Sequence, residues 1–175
     1  SLERLRGMKI AVLLGGQSGE REVSLRSGAG VLTSLRRQGF DAVEIDPGPD
    51  LVTQLRAAGA QVVFNVLHGG AGENGAIQGL LEVAGLPYTG CGVLASALTM
   101  DKLQTKRLFQ AVGVPTPPYV YAHAGGDAAD FARAAIEQFG LPAVVKPRAE
   151  GSSLGVSIPK TENELVAAVA DLLAR

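Results

Sequence analysis

Tryptophan is absent from the 175-residue sequence, and aromatic residues make up only 5% of it. Recognition of single strands by base stacking needs aromatic platforms, so that class of binder is a poor fit. A basic excess is missing as well. Sixteen Lys and Arg stand against seventeen Asp and Glu, a formal net charge of -1, whereas general nucleic-acid binding draws on surplus positive charge. The one cysteine, Cys91, cannot close an intrachain disulfide. A reducing cytoplasm is therefore the expected compartment, with Cys91 a small buried apolar side chain. No apolar run approaches the roughly 18 residues of a membrane span, and the start shows no signal-peptide pattern. Partners are thus expected to be neither nucleic acid nor membrane.

What the sequence does have is glycine, 23 residues, and a hydrophobic fraction of 46% beside 19% charge. That composition supports a packed core. At roughly 100–200 residues per domain the length suits one domain or two small ones.

Apolar runs alternate with helical patterns, the signature of βαβ units. Lys9–Leu14 reads as a buried strand ended by Gly15 and Gly16. Val23, Val31, Leu32 and Leu35 share one face of a following helix, with Gly39 as its stop. Ala42–Ile45 and Gln61–Leu67 read as further strands, separated by a Pro47-Gly48-Pro49 turn and a weak helix over Leu51–Ala58. His68–Gly75 is a flexible Gly-rich loop, and Ile77, Leu80, Leu81 and Ala84 mark the helix after it. Tyr88-Thr89 is expected to begin a short strand, and Ala95–Val112 a helix broken near Met100-Asp101-Lys102.

From Gly113 the pattern changes. A stiff Val114–Pro118 stretch precedes a helix marked by Ala128, Phe131, Ala135, Ile136 and Phe139. Leu141–Lys146 and Leu154–Ile158 read as strands of a hairpin, and Leu165, Val169, Leu172 and Leu173 as a last helix. The expected division is residues 1–7 as a native extension or added tag, 8–100 as a first α/β domain, and 101–175 as part of a second. No glycine or proline stop follows the last helix, so the ending looks cut.

Four places could carry chemistry. Gly15–Glu22 is a Gly-rich turn between strand and helix, where backbone N–H groups can meet anions. It matches neither G-x-G-x-x-G nor a Walker A pattern, and Glu20 and Glu22 would repel phosphate. The bland reading is two carboxylates suiting a helix dipole; the sharper one has Glu20 facing a substrate ammonium at the sheet's C-terminal edge. His68, at the end of a second strand, would face the same edge and reads equally as structural or functional. Lys146 precedes Gly151, Ser152, Ser153 and Gly155, whose small size would let backbone donors approach phosphate oxygens. An ordinary hairpin turn with an edge lysine is the alternative. Asp101 suits a helix cap, and Lys102, Lys106 and Arg107 suit either a solvated face or, for Lys102, a nucleotide phosphate.

Taken together, these stretches resemble the D-alanine–D-alanine ligases of the ATP-grasp superfamily. The likeness rests on Ile10–Gly16 with Ser18 and Glu20–Leu25, and on Leu67-His68-Gly69 with Gly72-Glu73. It continues through Leu86–Gly90, Ala95–Leu98 with Met100-Asp101-Lys102, and Val145-Lys146-Pro147 with Glu150–Ser153 and Gly155-Val156. The resemblance implies a Rossmann-like parallel-sheet N-terminal domain followed by the first part of an ATP-grasp α+β domain. It implies ligation of two D-alanines for peptidoglycan synthesis through an acyl phosphate, with ATP as co-substrate, and a loop closing over the site to exclude water.

By resemblance, Glu20 holds the ammonium of the first D-alanine and is linked to Ser152; these two are the expected catalytic pair. Val23 contacts that substrate's methyl group, and His68 orients its carboxylate. Lys102 and Lys146 bind phosphate, and Gly151, Ser152, Ser153 and Gly155 form the Gly-rich loop. Mg²⁺, or Mn²⁺ in its place, is implied, with its ligands, the oxyanion-stabilising Arg, the closing loop and the adenine-binding residues expected beyond a point matching Arg175. Gly70 departs from the family, where many members carry Arg. The chain is thus expected to be the N-terminal part of a longer enzyme and inactive alone, with a homodimer as a candidate assembly. The alternatives are a non-catalytic binding or dimerisation fragment, or an ATP-grasp ligase with another second substrate. A dehydrogenase-type nucleotide domain is disfavoured by the missing G-x-G-x-x-G.

Overall fold

A computed structural model describes residues 2–174, which form two compact units that divide between Met100 and Asp101. Ser1 and Arg175, the outer ends of the first and last expected segments, lie outside the described residues.

The first unit opens on a short helix, α1 (Leu2–Arg6). It continues β1 (Lys9–Leu13), α2 (Arg21–Arg37), β2 (Asp41–Ile45), α3 (Leu51–Ala57), β3 (Val62–Asn65), a 3₁₀ turn at Gly70–Gly72, α4 (Ala76–Val83) and α5 (Val93–Met100). The three strands form a parallel sheet in the order β2-β1-β3. Register is set at β1, where Ile10 faces Ala42 on one side and Val62 on the other.

Because side chains alternate along a strand, the central strand feeds two cores. Ala11 and Leu13 join Ile45, Leu51, Leu55, Val63, Leu67 and Leu81 on the face covered by α3 and α4. Ile10, Val12 and Leu14 join Leu32 and Ala42 on the face covered by α2. Burying each of these leucines contributes about 1.5–3 kcal/mol. Helix α2 runs close over the sheet because Gly28 has no side chain: a Cβ there would stand 2.3 Å from the Leu14 Cβ.

The chain leaves β1 for one neighbour and returns to β3 on the other side. The C-terminal ends of β1 and β3 are therefore a topological switch point, where open α/β sheets bind ligands.

The second unit holds α6 (Lys102–Ala111), α7 (Ala128–Phe139) and α8 (Glu162–Leu173). Asp101, Asp127 and Thr161 cap them through backbone N–H groups. Ala132, Ala135, Ala143, Leu165 and Val169 form its core.

Helices α2 to α8 follow the sequence reading closely, including the break at Asp101, while α1 forms where that reading had only an extension or tag. The strands do not all follow it. β3 stops at Asn65 because the Asn65 side chain accepts from the Leu67 N–H at 3.1 Å and turns the chain. Tyr88-Thr89 makes a single parallel bridge, Val63 to Tyr88, rather than a strand. The expected strands 141–146 and 154–158 reduce to one antiparallel bridge between Val145 and Ser157, with Ala143 N–H donating to the Pro159 carbonyl at 3.3 Å. Pro142, Pro147 and Pro159 have no N–H to donate, which bounds the ladder. Cys91 is exposed, not buried as expected; it lies between Gly90 and Gly92 ahead of α5, where its carbonyl accepts from Ser96 Oγ at 3.3 Å.

Candidate functional site

At the switch point of the first unit lies a cavity of about 390 Å³, bordered by Gly15–Ser18, Pro47–Pro49, Leu67–Gly72 and Ile77. The turns that form it are tied together by buried and half-buried hydroxyls. Ser24 Oγ accepts from Gly15 N–H at 2.9 Å and donates to the Val66 carbonyl at 2.7 Å, joining the ends of β1 and β3. Ser18 Oγ donates to the His68 carbonyl and accepts from Glu20 N–H at 3.1 Å. Asp46 accepts from Gly16 N–H at 2.9 Å and from both terminal nitrogens of Arg21, whose Nη1 also donates to the Gly16 carbonyl. The Arg21 guanidinium holds the Asp46 carboxyl below its ordinary range. With Gly15 and Gly16 N–H groups already engaged, this turn is not an open anion cradle, in line with the two carboxylates beside it.

Glu20 sits at the N-cap of α2 and is 9% exposed. A carboxylate there lies at the positive end of the helix dipole. It comes against the turn after β3: a Cβ on Gly69 would be 2.6 Å from Glu20 Oε2. Gly69 has φ 65°, a left-handed conformation that calls for glycine. His68 is half-buried and borders the cavity; Glu20 and Val23 do not line it, and Val23 is 38% exposed. The structure thus brings Glu20 and His68 together through Ser18 and Gly69, with Val23 one helical turn beyond on α2.

In the second unit, a cavity of about 470 Å³ gathers Lys102, Lys106, Lys146 and Arg148 with Tyr119 and Tyr121. Burial, then the nearby Lys146 ammonium, pushes the Lys102 pKa down, and the same two causes act on Lys106. Like charges held this close favour an anion among them. Lys102 is anchored from two sides: its N–H donates to the Arg148 carbonyl at 3.0 Å and its Nζ to the Glu150 carbonyl. That places the Gly151–Gly155 loop directly after its contact. The loop folds back through Leu154 N–H to the Gly151 carbonyl and Val156 N–H to the Ser153 carbonyl. Ser152 and Ser153 both have left-handed backbone, φ 47° and 59°, a conformation that costs a non-glycine residue about 1–3 kcal/mol and concentrates at ligand sites. Lys146 itself is exposed, so water solvates the charge that the sequence reading had at the end of the expected strand 141–146.

Comparison with known proteins converges on one family. The profile described as D-ala D-ala ligase N-terminus matches residues 48–91, and that described as D-ala D-ala ligase C-terminus matches residues 108–175. A D-alanine–D-alanine ligase of Desulforudis audaxviator is 50% identical over 166 residues, covering 95% of this chain and 54% of the relative. One from Actinobacillus pleuropneumoniae is 52% identical over 165 residues, with 94% and 54% covered. The chain belongs to the D-alanine–D-alanine ligase family. The ligase of Bacillus anthracis in complex with ATP superposes with a TM-score of 0.83 at 30% identity, covering 95% of this chain and 53% of that one. D-alanyl-alanine synthetase A of Vibrio cholerae gives 0.82 at 27% identity, covering 95% and 56%. The chain spans about half the length of the curated relatives it matches.

Within this ligase-family chain, the first unit carries Glu20, Val23 and His68. The second carries Lys102, Lys146, Gly151, Ser152, Ser153 and Gly155. Sequence reasoning assigned no role to Ser24, Asp46 or Arg148. Asp46 stands just after β2, at the sheet edge where ligands bind, a positional signal that could have found it. Arg148 had no local signal, since its partner Asp101 is 47 positions away. Among the described residues no cluster of three His, Cys, Asp or Glu could hold a metal ion, so the residues present do not fit the Mg²⁺ that the resemblance implies. No helix among them is long and apolar enough to cross a membrane.

Proposed function

We propose that this chain is the substrate- and phosphate-binding part of an enzyme that joins two D-alanines at the expense of ATP, supplying a peptidoglycan precursor in the cytoplasm. A carboxylate is a poor electrophile. In the proposed reaction a carboxylate oxygen of the first D-alanine attacks the γ-phosphorus of ATP and the bond to the bridging oxygen breaks. ADP leaves and an acyl phosphate forms. The amine of the second D-alanine attacks the acyl carbon, the bond to the phosphate oxygen breaks, and dipeptide, inorganic phosphate and a proton result.

The observation that carries this reading is the second-unit cavity, where Lys102 and Lys146 stand together and Lys102 is anchored to Glu150, next to Gly151. In the proposal these ammonium groups bind the transferring phosphates, and the Gly151–Gly155 backbone and Ser152 and Ser153 hydroxyls add donors. Glu20 pairs with the first D-alanine's ammonium, Val23 meets its methyl group, and His68 orients its carboxylate. Metal ligation, oxyanion stabilisation and the choice of second substrate belong to the rest of the enzyme.

Phosphate release by the full-length gene product tests the reading. It should require both ATP and D-alanine and yield D-alanyl-D-alanine, while the 175-residue chain alone releases none. ATP consumption that does not depend on D-alanine, or turnover by this chain alone, would sink it.

A further inference from the structure

The turn after β3 is held by more than its own backbone. The Gly72 carbonyl accepts two side-chain amides: Asn65 Nδ2 at 3.0 Å and Gln78 Nε2 at 2.9 Å. Gln78 projects from α4 and is only 4% exposed. Its Oε1 has no hydrogen-bond partner among the described residues. A buried amide that satisfies its donor and leaves its acceptor unpaired is a poor stability choice, because the unpaired group carries its full desolvation cost. An apolar side chain of the same length would fill the space without that cost.

What the amide secures is the turn. Gly72 N–H donates to the Gly69 carbonyl at 3.1 Å, and Gly69 N–H donates to Glu73 Oε2 at 2.8 Å. Gly72 also packs against Leu67, where a Cβ would stand 2.4 Å from the Leu67 Cβ. Fixing the Gly72 carbonyl therefore fixes both ends of the His68–Gly72 segment that borders the first-unit cavity.

We propose that Gln78, with Asn65, is a positioning residue that sets this segment, and through it His68 and the Gly69 backbone against Glu20. Its stability cost is retained for placement of the substrate-facing turn. The consequence for D-alanine rests on the functional reading above; the consequence for the turn does not.

Two variants test it. Gln78→Met is nearly isosteric and removes both the donor and the unpaired acceptor. Asn65→Asp keeps the acceptor for Leu67 N–H and removes the donor to Gly72. Amide hydrogen exchange at Gly69, Gly72 and Glu73 should quicken about tenfold or more in each. Protection in β1 and β2 should stay unchanged, and the urea midpoint of Gln78→Met should be equal to or above that of the parent chain. D-alanine affinity should fall about tenfold while pyrophosphate affinity, read at the second unit's lysines, stays constant. Unchanged exchange in the turn would overturn the proposal. So would protection lost by the same factor in the strands, which is what a merely structural role predicts. If the turn loosens but the parent chain binds no D-alanine, positioning stands and the D-alanine reading of this site falls.

Discussion

Asp101 and Arg148 are 47 positions apart, and one carboxylate serves two sides of the second-unit cavity. Asp101 Oδ1 caps α6 by accepting from Leu103 and Gln104 N–H at 3.0 and 3.1 Å. Its Oδ2 accepts from Arg148 Nε at 2.8 Å and from Nη2. Arg148 lies between Lys146 and the Gly-rich loop, and also reaches Tyr121 OH at 3.3 Å. The pair ties the start of α6, which carries Lys102, to the segment that carries Lys146 just after the Val145–Ser157 bridge.

The two jobs of Asp101 separate by substitution. Asp101→Asn retains a cap acceptor and loses the charged partner of Arg148. It should melt close to the parent chain but bind pyrophosphate more weakly. Asp101→Ala loses both and should cost about 1 kcal/mol in addition for the cap. Urea unfolding and calorimetric pyrophosphate titration of both variants check this; equal stability of the two would remove the cap from the account.

The lysine cluster predicts a coupled titration. Burial lowers the Lys102 pKa first, and the Lys146 charge lowers it further. Lys146→Met removes the second cause and should raise the Lys102 pKa part of the way towards 10.5. Pyrophosphate bound to the parent chain should raise it in the same direction. Removing one of these charge-assisted contacts should weaken pyrophosphate about ten- to hundredfold. An NMR titration of the labelled Lys102 side chain reads both effects, and an unmoved Lys102 in Lys146→Met would refute the coupling.

Acid should loosen the first-unit turn through Asp46. Arg21 holds the Asp46 pKa below its ordinary value, so the pair's contribution is complete above the ordinary carboxylate range. It is lost as pH falls through the depressed native value. Subtracting the urea midpoints of Arg21→Met from those of the parent chain, from pH 7 down to pH 2, should give a difference that shrinks towards the acid end. A difference that grows on acidification would contradict the pairing.

Ser24→Ala removes the hydroxyl that joins Gly15 N–H to the Val66 carbonyl and leaves buried backbone groups unpaired. The expected loss is about 1–3 kcal/mol. Gly28→Ala should cost a similar amount, about 1–3 kcal/mol, because its Cβ meets Leu14. Both are read from chemical denaturation with a far-UV circular dichroism check on folding. A neutral Gly28→Ala would mean that α2 can shift away from the sheet.

By itself the sequence determined where helices α2 to α8 lie and which strand residues supply the first unit's core. Periodicity and caps are local, and Asp101, Gly39 and the run Lys9–Leu14 speak through their immediate neighbours. It also determined the family likeness, because the turn motifs keep their order along the chain. Tertiary structure alone decided what joins those motifs. Ser18 and Ser24 meet carbonyls 50 and 42 positions away, Arg148 finds Asp101, and Gln78 reaches back to Gly72. Strand pairing near Val145 was also decided there, since a ladder depends on which N–H groups face a partner and the prolines around it have none. Hydrophobic patterning reports burial along one element at a time. A hydrogen bond between distant turns leaves no periodic trace, and the candidate site is built mostly from such bonds.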